Sequence, residues 1–125
     1  DAIRASDSRI VLIASGSLSH RFYPMKELDQ HESSDPNHVI TPEARSADEQ
    51  RISWWEHGDH AAVVDSMDDF MRHRPEGLFG HYLMMIAASG GAECTAVGRR
   101  FSEYENAIGT GQVHMWFDQP VTGWV

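Results

Sequence analysis

Only one cysteine, Cys94, occurs in the 125 residues. An internal disulfide is therefore excluded, and a lone thiol fits a reducing compartment. Long apolar runs are also missing. The longest, Tyr82 to Ala88, is about a third of the roughly 20 residues that a membrane-spanning helix needs. No cationic leader with an apolar stretch behind it is visible, so secretion is not expected and the chain reads as cytoplasmic. Basic residues are few and scattered: ten Lys and Arg against nineteen Asp and Glu give a net charge of −9. Nucleic-acid binding rests on cations that neutralise phosphates, and this balance argues against it.

What is present is the composition of an ordinary soluble domain, 41% hydrophobic and 23% charged, at a length that allows one domain at most. Eight histidines are many for this length and direct attention to metal or proton-transfer chemistry. The chain opens on Asp1 and runs within ten residues into an apolar segment, which reads as a piece of a longer protein. Arg9 to Ser15 (RIVLIAS) is expected to be a strand buried on both faces of a parallel or mixed sheet. Gly16 to His20 would leave its carboxyl end, where ligands gather in open α/β sheets. Pro24 to Pro42 reads as a long surface loop, a possible lid.

Thr41-Pro42-Glu43 and Ser46-Ala47-Asp48-Glu49 both carry helix-start signals for a helix bearing Ile52, Trp54 and Trp55 and stopping near Gly58. Asp59 caps a second helix with Ala62, Val63, Met67, Phe70 and Met71 on its apolar side. Pro75-Glu76-Gly77 precedes a third, about Leu78 to Ser89, closed by Gly90-Gly91. Its stripe of Phe79, Tyr82, Leu83, Met84, Met85 and Ile86 is core-facing. Glu93 to Val97 and Val113 to Phe117 read as strands, with Gly109-Thr110-Gly111 as a turn. No repeat or low-complexity tract appears. The fold class is α/β, with a mixed central sheet flanked by helices.

Two places offer chemistry. Ser15-Gly16-Ser17-Leu18-Ser19-His20 turns an imidazole out at a sheet edge, where it suits proton transfer near neutral pH. The same residues also describe a partly buried histidine that satisfies its own loop. Glu76 follows a proline at a helix start; it reads as a carboxylate metal ligand or, taken alone, as an ordinary first-turn acid favoured by the helix dipole. Glu56-His57-Gly58-Asp59-His60 spaces two histidines three apart, but Gly58 and Asp59 break the single helical face a zinc-protease motif requires. That segment reads as a solvated helix junction.

Three stretches together resemble a known family, the class III (LigB-type) extradiol ring-cleavage dioxygenases, and most closely its branch acting on 3,4-dihydroxyphenylacetate (homoprotocatechuate). Leu12 to Phe22 (LIASGSLSHRF) is similar to that family's strand-and-loop signature. Pro75 to His81 (PEGLFGH) is similar to the segment supplying its carboxylate ligand, and Gly109 to Val113 (GTGQV) to its C-terminal strand. The resemblance implies an Fe(II) enzyme that opens a catechol with O2, the metal held by two histidines and a glutamate with open positions for both reactants. It implies His20 as the acid/base, Glu76 as the carboxylate ligand and Arg21 as a contact to an acidic substrate. None of the eight histidines matches the family's two ligand motifs, so residues 1–125 are expected to be the C-terminal part of one catalytic domain. The full-length protein is expected to form a homo-oligomer. Two rivals stand beside this reading. One is a non-catalytic LigB-like subunit; the other is a small zinc-dependent hydrolase using His57, His60 and Asp65.

Overall fold

A computed structural model describes residues 3, 5–21, 24–30, 41–107 and 109–125. Helix α1, Pro42–Glu56, starts where its local chemistry says it should. The Thr41 hydroxyl accepts from the Ala44 amide at 3.0 Å, and proline occupies the first turn, where no amide partner is needed. The second start signal, Ser46 to Glu49, lies inside this helix. Ala44, Asp48, Arg51, Ile52 and Trp55 are its buried residues and share one face. Gly58, at φ +70°, ends the run and Asp59 opens the next, its carboxylate accepting from the Ala62 amide.

The expected second helix is two short ones, α2 (His60–Asp65) and α3 (Met67–Phe70). The Ser66 hydroxyl between them donates to the Val63 carbonyl at 3.1 Å, which competes with helical continuation. Val63 and Phe70 are nevertheless fully buried. A 3-10 turn, Met71–His73, and a second one, Glu76–Phe79, lead into α4, Gly80–Ala88. Gly90 and Gly91, both at positive φ, close α4 as expected. Tyr82 and Ile86 face the core, whereas Met84 is exposed.

Strands are short. β1 (Gly98–Arg100) pairs antiparallel with β4 (Met115–Phe117), and β2 (Glu105–Ala107) with β3 (Thr110–Gln112). Together with the helices these give an α/β arrangement; the described ladders are antiparallel ribbons rather than one mixed central sheet. Of the expected turn, Gly109 alone bends the chain, at φ +80° with its amide on Asn106 Oδ1, while Thr110 and Gly111 enter β3. Glu93 to Val97, expected as a strand, is not one: Glu93 ends a 3-10 turn, Gly91–Glu93, and residues 94–97 form no ladder, with Cys94 and Ala96 buried and Thr95 and Val97 exposed.

The expectation of a buried first strand is overturned. Arg9 to Ser15 belongs to no strand, and Ile10, Val11, Leu12 and Ile13 are exposed, Ile13 by 82%. The physical reason is the lack of any described neighbour to take its amides and cover its faces; an apolar run becomes a buried strand only with such partners. Within the expected surface loop, Met25–Gln30 forms a 3-10 helix, and the rest of that loop, 31–40, lies outside the described residues. No helix of the described residues is long and apolar enough to cross a membrane.

Candidate functional site

The three stretches singled out in the sequence meet. Leu18 N donates to Gly111 O (2.9 Å), Gly111 N to Ser19 O (2.9 Å) and Arg21 N to Gly109 O (2.8 Å), with His20 bridged to Thr110. On the other side His20 N donates to His73 O (3.0 Å) and Glu76 N to Leu18 O (3.3 Å). Residues 17–21 are therefore a middle rung, with β3 on one edge and the 73–76 segment on the other. Backbone bonds alone bring His20 and Glu76 onto neighbouring segments of one small ladder.

Each of the two side chains has a hydroxyl partner. Ser17 Oγ donates to Glu76 Oε2 at 2.8 Å, and the glutamate is solvent-exposed. The His20 ring Nδ1 shares a 3.1 Å hydrogen bond with Thr110 Oγ1. Immediately after Glu76 the backbone is strained: Leu78 and Phe79 hold φ of +55° and +61°, each at a cost on the order of 1–3 kcal/mol. Burial of the Phe79 ring, against Phe70 and Tyr82, holds that kink. Arg21 is exposed.

Glu76, Ser17, Gly16 and His81 line a cavity of about 1080 Å³ whose wall also includes the exposed apolar run from Arg9 to Ser15. His20 is not among its lining residues. His81 Nε2 donates to Ser17 O at 3.2 Å, and its buried Nδ1 has no hydrogen-bond partner among the described residues. The His81 ring lies so close over Gly16 that any side chain there would overlap it.

A buried acid supports the middle rung. Asp48 of α1, fully buried, accepts from Ser19 N (3.0 Å), Ser19 Oγ (2.6 Å) and Tyr104 Oη (2.7 Å). Burial pushes its carboxyl up to about 6, against the lowering effect of these donors and of Arg51. Tyr104 is raised, first by burial and then by the adjacent carboxylate. Sequence reasoning passed over Asp48, Tyr104, Thr110 and His81. The signal for Asp48 was there: an acid on the face of α1 otherwise marked by Ala44, Ile52 and Trp55.

The His57–His60 junction is not the solvated segment expected. His60 is buried, with Nε2 donating to Ala96 O and Nδ1 accepting from the Tyr82 hydroxyl, both at 2.8 Å. Burial lowers its pKa below 6.5, in keeping with a neutral ring. His57 is exposed and uses Nδ1 on Ser53 O, and Asp65 is exposed. His60 has no nitrogen left for zinc, so this pair does not assemble a metal site.

The sequence model of one protein family, described as the catalytic LigB subunit of aromatic ring-opening dioxygenase, matches residues 1–115. The class is thus that of dioxygenases that open aromatic rings, whose reactants are a small aromatic molecule and O2. The chain belongs to the LigB family. No curated protein matches it. Enzymes of this family are in general metal-dependent, commonly with iron. Among the described residues, no three His, Cys, Asp or Glu side chains converge on one point. The exposed, Ser17-held carboxylate of Glu76 fits one ligand position at the cavity, and the described residues do not complete a metal site around it.

Proposed function

We propose that this chain is the C-terminal part of an Fe(II)-dependent extradiol dioxygenase that opens a catechol, 3,4-dihydroxyphenylacetate or a close relative, in the degradation of aromatic compounds. The observation that carries the reading is the ladder that joins the His20 turn to the Glu76 turn and leaves the glutamate at the cavity. Glu76 is the carboxylate ligand in this reading, and two histidines from outside residues 1–125 complete the metal's holding. Bound there, the metal would supply a Lewis-acidic, redox-active centre at which catechol and O2 are held together.

The chain's own residues do the rest. Ser17 fixes the orientation of the Glu76 carboxylate through its 2.8 Å bond. Thr110 holds Nδ1 of His20, and Nε2 takes the phenolic proton and later returns one to the ring-opened product. Arg21 faces the carboxylate of an acidic substrate. The working protein is a cytoplasmic homo-oligomer.

The test is metal content and turnover measured on the same preparations. His20→Gln should keep its iron and lose about two to four orders of magnitude in rate, the range for removing a positioned proton-transfer group. Glu76→Ala should lose iron while the fold survives. Loss of iron in His20→Gln makes His20 a ligand instead, and unchanged iron in Glu76→Ala places the carboxylate ligand elsewhere.

A further inference from the structure

A carboxylate on the apolar face of a helix is an expensive choice. An ionised acid taken out of water is tolerated only where hydrogen bonds replace the lost hydration. Asp48 has three: the amide and hydroxyl of Ser19, and the hydroxyl of Tyr104. All three residues are almost wholly buried. The partners are not scattered. Ser19 immediately precedes His20, and Gly111, which follows the His20 partner Thr110, passes so close to the Asp48 carboxylate and the Tyr104 hydroxyl that any side chain there would overlap both. One carboxylate therefore holds the residue ahead of the imidazole, by its amide and its hydroxyl, and closes on the backbone of the strand that carries the imidazole's hydroxyl partner. At neutral pH, above its value of about 6, it is the acceptor-only species that three donors require.

We propose that Asp48 is a positioning residue for His20, its carboxylate clamping Ser19 through its amide and hydroxyl and closing on the β3 backbone so that the imidazole stays in register with Thr110. The proposal rests on the reading of His20 as the proton-transfer group. It adds a residue from α1, remote in sequence from both parts of the ladder, whose role is to set the geometry of a proton transfer without touching the substrate.

Asp48→Asn keeps the shape but turns one oxygen into a donor that faces other donors. In the complete, metal-loaded enzyme, kcat should fall about 10- to 100-fold, the range for losing an outer partner of a functional side chain. KM for the catechol and iron content should stay within about twofold, since Asp48 is not among the residues that line the cavity. The decisive measurement is a double-mutant cycle with His20→Gln. In the His20→Gln background, Asp48→Asn should add nothing to the loss. An equal loss in both backgrounds overturns the positioning role while leaving His20 as the acid/base. A full rate in His20→Gln alone instead removes the reading on which the proposal rests. Should Asp48→Asn fail to fold, Tyr104→Phe, which removes one donor and keeps the ring, gives the same cycle with a smaller loss; additivity there refutes the proposal equally.

Discussion

Replacing Gly111 with alanine would press one methyl group onto the Asp48 carboxylate and the Tyr104 hydroxyl, both of which lie within contact distance of where its Cβ must go. Neither neighbour can swing away freely. Asp48 is fully buried and held by Ser19, and Tyr104 is buried at the edge of the core. Forcing an extra carbon into such packing costs about 1–3 kcal/mol. Parting Tyr104 from Asp48 leaves a buried donor and acceptor short of a partner, a further penalty of about 1–3 kcal/mol. The expected loss is thus roughly 2–6 kcal/mol, a large share of the roughly 5–15 kcal/mol by which a domain is stable. Gly80→Ala is the matched control. Gly80 has helical angles (φ −59°, ψ −33°) and open space where its Cβ would go, so alanine there should be neutral or stabilise by about 0.5–1 kcal/mol. Urea unfolding of the two variants beside the parent, followed by circular dichroism, reads the difference as a shift in midpoint at constant slope. Equal midpoints for Gly111→Ala and Gly80→Ala would refute the close approach of β3 to Asp48.

Two further outcomes follow from buried titrating groups. The Asp48 carboxyl is raised from 3.8 to about 6 by burial, so the folded form holds that proton more tightly than the unfolded one. Its stabilising contribution is complete below 3.8 and lost as pH rises through about 6, to the extent of about 3 kcal/mol. Asp48→Asn should flatten the stability–pH curve in that window, and an unaltered slope would mean the acid is not held as described. His60 has the opposite sign: lowered below 6.5 by burial, it contributes stability above that value which is lost as pH falls and the ring is forced to charge. His60→Leu removes this acid-side loss but strands Tyr82 Oη and Ala96 O, so at pH 7 it should unfold about 2–4 kcal/mol more easily. It should retain the parent's metal content, measurable by atomic emission.

The parts of this molecule that were legible in its sequence are those decided within a few residues. Thr41 and Asp59 cap helices because the amide each one satisfies lies three residues on, and Gly58 and Gly90 end them through backbone angles other residues avoid. The run from Arg9 to Ser15 misled because its apolar composition describes what the segment can be covered by, and the covering is a matter of other chain. Ser66 splits a helix through a single hydroxyl whose alternative partner, the Val63 carbonyl, has no pattern in the sequence. At the site, residue types alone described His20 and Glu76 equally well as ordinary loop and helix-start residues, and it was the family resemblance that gave them expected roles. Nothing in spacing announces that Ser17 would find Glu76, or that Ser19 would find Asp48; hydroxyls choose partners only once tertiary structure has brought acids within reach. His60 shows the same limit from the other side, since a polar residue at a helix start is solvated or buried according to what packs over it.

The ladder has a bearing on the order in which the molecule assembles. Its backbone bonds join residues separated by 53 positions, from His20 to His73, and by 93, from Leu18 to Gly111. Closing a loop of that size gains little until both ends are already held, because the entropy of closure must be met before the contact rewards it. Helices α1 to α4 and the β2–β3 hairpin are built from short-range contacts, and they are the pieces that can form early. The histidine and glutamate turns come into register only when those pieces have docked, so the geometry that sets His20 beside Glu76 is a property of the finished chain and of no partly folded ancestor on its pathway.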